Sequence, residues 1–117
     1  MARTSLTKTT ALGGYGSYAA DAADLTMEAA DATNGNQFVA SGNDLVIAHN
    51  TGASAATITI HSVADPYGRT GDISYSLGAG EYAVFGPFPC LGWQQSDGKI
   101  YLEASSADVK FGVLALP

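Results

Sequence analysis

Few residue types in this chain can do chemistry, and their spacing decides what they can share. Both histidines fall in one stretch, Asp44-LVIAHNTGASAATITIH-Ser62, twelve residues apart. Leu45 and Ile47 alternate in the first half, and Ile58 and Ile60 do so in the second. Such alternation marks half-buried strands, and Thr51-Gly-Ala-Ser54 between them has turn composition. The expectation is a hairpin with Leu45 and Ile47 opposite Ile58 and Ile60, because a one-residue slip would turn one apolar set to water. His49 then lies on the Leu45/Ile47 side beside the turn, and His61 projects from the other face with Thr57 and Thr59. The two rings point apart, so no shared metal or proton relay is expected of them.

The remaining candidates are no stronger. Cys90 is the single cysteine; it can form no internal disulfide, lacks companions for a thiolate zinc site, and reads as a small buried hydrophobe. Asp65, Arg69 and Asp72 cluster in DPYGRTGD, but the spacing departs from a calcium loop and Arg69 would repel the ion. An Arg–carboxylate clasp is expected there instead. Gly78-Ala-Gly80 lacks the lysine and following helix of a phosphate loop and reads as a turn. Scattered Ser, His and Asp residues single out no triad. No carboxylate pair stands out for glycoside hydrolysis among eleven acids. No catalytic residue, cofactor or metal site is therefore assigned. Tyr67, Tyr75, Tyr82, Trp93 and Tyr101 could stack on sugar rings if they lined one exposed face; core and interface burial is the competing reading. Trp93 is expected to pack beneath a hairpin.

The elements that position these residues are strands. At 117 residues, 46% apolar and 14% charged, the chain suits one domain that buries roughly two-thirds of its unfolded surface. A strand is expected near residues 24–29, where Leu25, Met27 and Ala29 alternate, with any helix limited to one turn. Further strands are expected at Asp72–Leu77, Glu81–Phe85, Trp93–Gln95, Lys99–Ala104 and from Val109 onward, where Val109, Phe111, Val113 and Ala115 alternate. Asp65-Pro-Tyr-Gly68 reads as a turn, Gly86-Pro-Phe-Pro89 as a loop, and Ser96-Asp97-Gly98 as a bulged hairpin turn. About eight short strands without a long amphipathic helix predict an all-β chain: a single antiparallel β-sandwich, jelly-roll-like.

Residues 1–20 differ from the rest. They carry Arg3 and Lys8 and no acid, a charge of +2, whereas residues 21–117 carry all eleven acids against Arg69, Lys99 and Lys110, a charge of −8. Glycines and tyrosines interrupt any periodicity. The expectation is an extended N-terminal arm (1–20) that adds nothing to the core of the sandwich domain (21–117) and docks on a partner through Arg3, Lys8, Leu12, Tyr15 and Tyr18. The acidic body argues against nucleic-acid binding. No signal-peptide h-region and no membrane-length apolar run are visible, which predicts a soluble protein made in a cytoplasm.

Three segments, Gly80-EYAVFGP-Phe88, Gly92-WQQSDGKIY-Leu102 and Val109-KFGVLAL-Pro117, together with Asp65–Asp72 and the NTGASAATITIHS stretch, carry a resemblance that spans most of residues 20–117. The chain resembles a family of small tailed-phage and prophage structural proteins, similar to capsid decoration or cement proteins. The resemblance implies a non-enzymatic virion protein made in the bacterial host cytoplasm. It would bind the outside of an assembled head, touch the major capsid protein and neighbouring copies of itself as a homo-oligomer, and lock capsomers together. The alternative is a carbohydrate-binding or host-adhesion module on the virion.

Overall fold

The computed structural model describes residues 3–14, 19–20 and 23–116. Its organising feature is the alternation expected at the C-terminus. Val109, Phe111, Val113 and Ala115 of the last strand, β10 (Val109–Ala115), all point inward, and Phe111 is fully buried. β10 lies between β5 (Asp44–Asn50), which it meets antiparallel, and two short strands placed end to end on its other edge. These are β2 (Lys8–Thr10), which is parallel to it, and β3 (Glu28–Ala29), which is antiparallel. β8 (Tyr82–Phe88) closes this second sheet on the far side of β5. The first sheet runs β1 (Thr4–Ser5), β4 (Asn36–Val39), β9 (Lys99–Ala104), β6 (Ala56–Ile60) and β7 (Ile73–Leu77).

The described chain is all-β. Two five-stranded mixed sheets turn their apolar faces on one core: Phe38, Ile58, Ile60, Leu77, Ile100 and Leu102 from the first, Val46, Ala48, Phe85, Phe88 and the β10 residues from the second. Ten strands are present among the described residues, against the eight expected. The strands not expected are β1, β2 and the four-residue β4, too short to show a clear period, whereas the strand expected at Trp93–Gln95 is absent. A jelly roll nests its pairs, first strand beside last. Here β4 lies beside β9 and β5 beside β10, so the connectivity is stepped rather than nested.

Two sequence expectations fail for definite reasons. Leu45–Ile60 is no hairpin, because β5 and β6 belong to different sheets and residues 51–55 cross between layers. The inward set of β5 is also the other one: Asp44, Val46, Ala48 and Asn50 are buried, whereas Leu45, Ile47 and His49 face outward. The run LVIA is apolar on both faces, so alternation alone assigned the wrong side. Secondly, residues 3–10 are part of the fold. They add a parallel strand to each sheet, and Leu6, where the segment crosses between sheets, is 8% exposed and belongs to the core.

Smaller differences follow the same logic. β8 runs through Pro87 to Phe88, where a loop was expected; as the edge strand of its sheet, with a bulge opposite Asp44–Val46, it tolerates the proline. Gly86 there has φ +110, and a Cβ would stand 2.7 Å from the Asp44 carbonyl oxygen, so the bend requires glycine. Trp93–Gln95 is turn rather than strand, and of residues 24–29 only Glu28–Ala29 pair. Cys90 is half-buried.

Three buried polar side chains clamp the sandwich. Asn50 donates from Nδ2 to the Ser54 and Leu77 carbonyls at 2.8 and 3.0 Å and accepts from Gly52 N–H at 2.9 Å. Asn36 accepts from Asp31 N–H and donates to the Thr4 carbonyl. Asp44 accepts from the Ser41 backbone N–H at 2.8 Å and from the Ser41 hydroxyl, and it pairs with Lys8. Buried polar groups are tolerable when satisfied in this way.

Candidate functional site

The residues expected to reach a partner are divided by the structure. Arg3 lies against Gly35 and Asn36. Its Nη1 donates to the Asn36 and Leu102 carbonyls at 3.3 and 3.2 Å, its Nη2 meets Glu103 at 3.1 Å, and its guanidinium stacks 4.6 Å from the Tyr101 ring centre. Lys8 Nζ meets the buried Asp44 carboxylate and the Ser41 hydroxyl, each at 3.1 Å. Both cations are therefore engaged within the chain. Leu12 is 38% exposed. Tyr15 and Tyr18 lie outside the described residues.

The first sheet's outer face is polar and braced. Glu103 accepts from Arg3 and sits 2.7 Å from His61 Nε2, while His61 Nδ1 lies 3.3 Å from Asp72. Asp72 in turn accepts from the Ser62 backbone N–H and hydroxyl. The His61 hydrogen bond, followed by Arg3, holds the Glu103 carboxyl below its ordinary range. The Ser62 bonds do the same for Asp72, and His61 adds to them. Tyr101 donates its hydroxyl to Asp97 at 2.6 Å, which lowers the acid's pKa and raises the phenol's. The Asp65–Arg69 clasp forms as expected, at 2.7 Å, with Asp72 committed elsewhere. Beside it, Ser62, Asp65, Arg69, Thr70, Leu91 and Trp93 line an open cleft of about 430 Å³. Trp93 is half-buried there, edge-on to Phe88.

The second sheet's outer face is of the opposite kind. Register aligns three rows across β8, β5 and β10: Tyr82, His49 and Lys110; Val84, Ile47 and Gly112; then Leu45 beside Leu114. His49 stacks flat on Tyr82, ring centres 3.8 Å apart and planes 4° apart. Tyr82 and Val84 are 69% and 61% exposed. Leu25 and Met27 lie over the Gly112 position, where a Cβ would meet the Met27 sulfur at 2.5 Å, and Leu45, Ile47, His49 and Leu114 are half-buried. Lys110 is the one formal charge in these rows. Placing Leu45 and Ile47 inward hides this face; the signal available in the residues is a strand apolar on both sides.

The five aromatics considered for sugar stacking are scattered: Tyr82 on this face, Tyr101 under Arg3 on the other, Tyr75 on edge strand β7, Tyr67 in the loop with Arg69, and Trp93 in the cleft. Among the described residues no group of three or more His, Cys, Asp or Glu side chains is arranged to hold a metal ion, and no helix is long and apolar enough to cross a membrane. Compared with protein-family models, curated proteins and solved structures, the chain matches none of them.

Proposed function

We propose that the chain is a non-enzymatic virion structural protein that seats on the outer surface of a phage capsid and stabilises contacts between capsomers. The observation that carries this reading is the outer face of the second sheet. Its contiguous apolar rows hold a single charge, and large exposed side chains stand at the open β8 edge. Exposed apolar patches of this kind mark protein-binding surfaces. The sequence resemblance supplies the identity of the partner, the major capsid protein. Many copies on a lattice convert modest single contacts into tight attachment.

The test is co-sedimentation with undecorated heads. Tyr82→Asp and Val84→Asp lie on exposed positions, so both variants should fold; each should lose at least about tenfold in head binding, since one buried unpaired charge costs well over 1.4 kcal/mol. Undiminished binding by both variants would overturn the reading. A second reading, a carbohydrate-binding or adhesion module, rests on Trp93 in the open cleft beside Asp65 and Arg69. It requires Trp93→Ala to abolish retention on a polysaccharide column that retains the intact protein.

A further inference from the structure

We infer that the N-terminal strand segment, residues 3–10, is exchanged between copies of this chain, each copy's segment completing the sheets of a neighbour. Three observations carry the inference. The first is that the segment's grip lies elsewhere in the chain. β1 adds to β4 and β2 adds to β10, Arg3 bonds to Asn36, Leu102 and Glu103, and Lys8 pairs with Asp44. Thr4 donates its hydroxyl to Asp31 at 2.6 Å, and Thr7 N–H donates to Glu28 at 2.5 Å. Apart from a 3.5 Å contact from the Thr9 hydroxyl to the Asp24 carbonyl, the segment's partners all follow residue 27 in sequence. A second copy offers the identical surface, so exchange preserves each contact.

The second observation is the length of the connection. β2 ends at Thr10, aligned with Ala115, and β3 begins at Glu28, aligned with Phe111. Four residues along one strand separate these points, about 13 Å. Two to five residues close gaps of that size between strands, and connections beyond about 15 are uncommon in compact domains. Seventeen residues, 11–27, make this connection. Ala11 bonds to Ala115, and Leu25 and Met27 lie on Gly112, so the span is residues 12–24, which reach roughly 43 Å extended, against a molecule of 40 × 40 × 24 Å. The connection is long enough to carry the segment onto an adjacent copy.

The third observation is charge. A +2 segment faces a −8 body, and both of its cations end on body carboxylates. Exchange of an identical element is a low-cost route to association, because the contacts it uses already exist in the single chain. The capsid reading is not required, since exchange is read on the purified protein alone.

The test joins the segment covalently to whichever body holds it. Ser5 and Gln37 are aligned across β1 and β4 with side chains in contact, Gln37 Nε2 donating to Ser5 Oγ at 3.2 Å. Both lie outside the core. Ser5→Cys with Gln37→Cys, in a Cys90→Ser background, is unfolded, refolded at low and at high protein concentration, oxidised, and run on a denaturing gel without reductant. Covalent dimers or larger closed species that increase with refolding concentration are expected. A covalently closed monomer at every concentration would overturn the inference, as would equal dimer yields from the single-cysteine controls. A second arm avoids cysteine altogether. Arg3→Glu alone and Glu103→Arg alone each place like charges together within one chain, whereas exchange between the two variants pairs opposite charges at both junctions. Co-refolding them should give a mixed dimer that melts above either variant; a mixture that melts as two independent species would overturn the inference.

Discussion

The two sheets turn outer faces of opposite character to solvent, the first dominated by polar and charged contacts, the second by apolar side chains. On the first sheet, Arg3, Glu103, His61 and Asp72 form a continuous chain of charge-assisted contacts, with Tyr101 and Asp97 beside it. Each of these side chains is paired within the molecule. On the second sheet, exposed Tyr82 and Val84 stand beside half-buried Leu45, Ile47, His49 and Leu114. One face is tied together by contacts within the chain; the other carries exposed apolar side chains. The difference lies in outward positions: Gln37, Thr57, Thr59, Lys99, Tyr101 and Glu103, with Val39 an exposed apolar exception, on β4, β6 and β9, but Leu45, Ile47, Tyr82, Val84 and Leu114, with His49 and Lys110, on β5, β8 and β10.

The sharpest way to break this comparison is to place the same charge on both faces. Val84→Asp should remove most head binding, whereas Thr57→Asp, an exposed position on the first sheet, should leave it within a factor of two or so, the scale of ordinary surface substitutions. Equal losses would mean that the faces do not differ in role. Within the fold, the largest stability effect should come from Lys8→Ala. It leaves the fully buried Asp44 carboxylate without its cation, and breaking such a pair costs about 3 kcal/mol or more. The Asp44 hydrogen bonds to Ser41 remain, which places the loss at the low end. Arg3→Ala should cost less, about 1–2 kcal/mol. Its carbonyl contacts are lost, but the Glu103 pair is half-exposed and screened. Denaturant unfolding of the two variants checks the order.

Trp93→Ala should fall below both measures of a core aromatic. A fully buried ring costs about 3–5 kcal/mol on truncation; Trp93 is half-buried, with one edge on Phe88 and the rest lining the cleft. About 1–2 kcal/mol is expected from the apolar area it covers. A loss as large as that of Phe111→Ala would show that the cleft is closed in solution.

How much of this could be read from residues depends on range. β10 was legible because its alternation is clean and its outward residues, Lys110 and Gly112, are not bulky apolar ones. β5 was legible as a strand but not as to face, since LVIA offers both. The break between β5 and β6 was invisible, because a turn-like TGAS serves equally for a hairpin and for a crossing between layers. The core role of Leu6 was missed for want of period: one leucine between threonines and a lysine shows none. The braced face was out of reach altogether. His61 and Glu103 are 42 residues apart, and Arg3 and Glu103 are 100 apart; only the stacking of β4, β9 and β6 brings them together. Asp44, Asn36 and Asn50 were passed over because buried polar residues are recognised by partners, not by type.

The smallest expected effect separates the parts of the braced face. Glu103 and Asp72 both titrate below their ordinary values of 4.5 and 3.8. A carboxylate whose folded pKa is depressed contributes stability that is present above its unfolded pKa and lost as pH falls through the folded one. Acid should therefore begin to loosen this face below about pH 4.5, with the melting temperature falling further as both groups protonate. The causes differ, however. The largest for Glu103 is its hydrogen bond to His61, whereas the largest for Asp72 is the backbone N–H of Ser62, with His61 behind the Ser62 hydroxyl. His61→Ala removes the imidazole and its hydrogen bonds from both. Carboxyl carbon NMR should then show the Glu103 titration moving back toward its ordinary value, with Asp72 moving distinctly less. Equal movement would mean that the imidazole organises both acids, and that the Ser62 contacts only follow it.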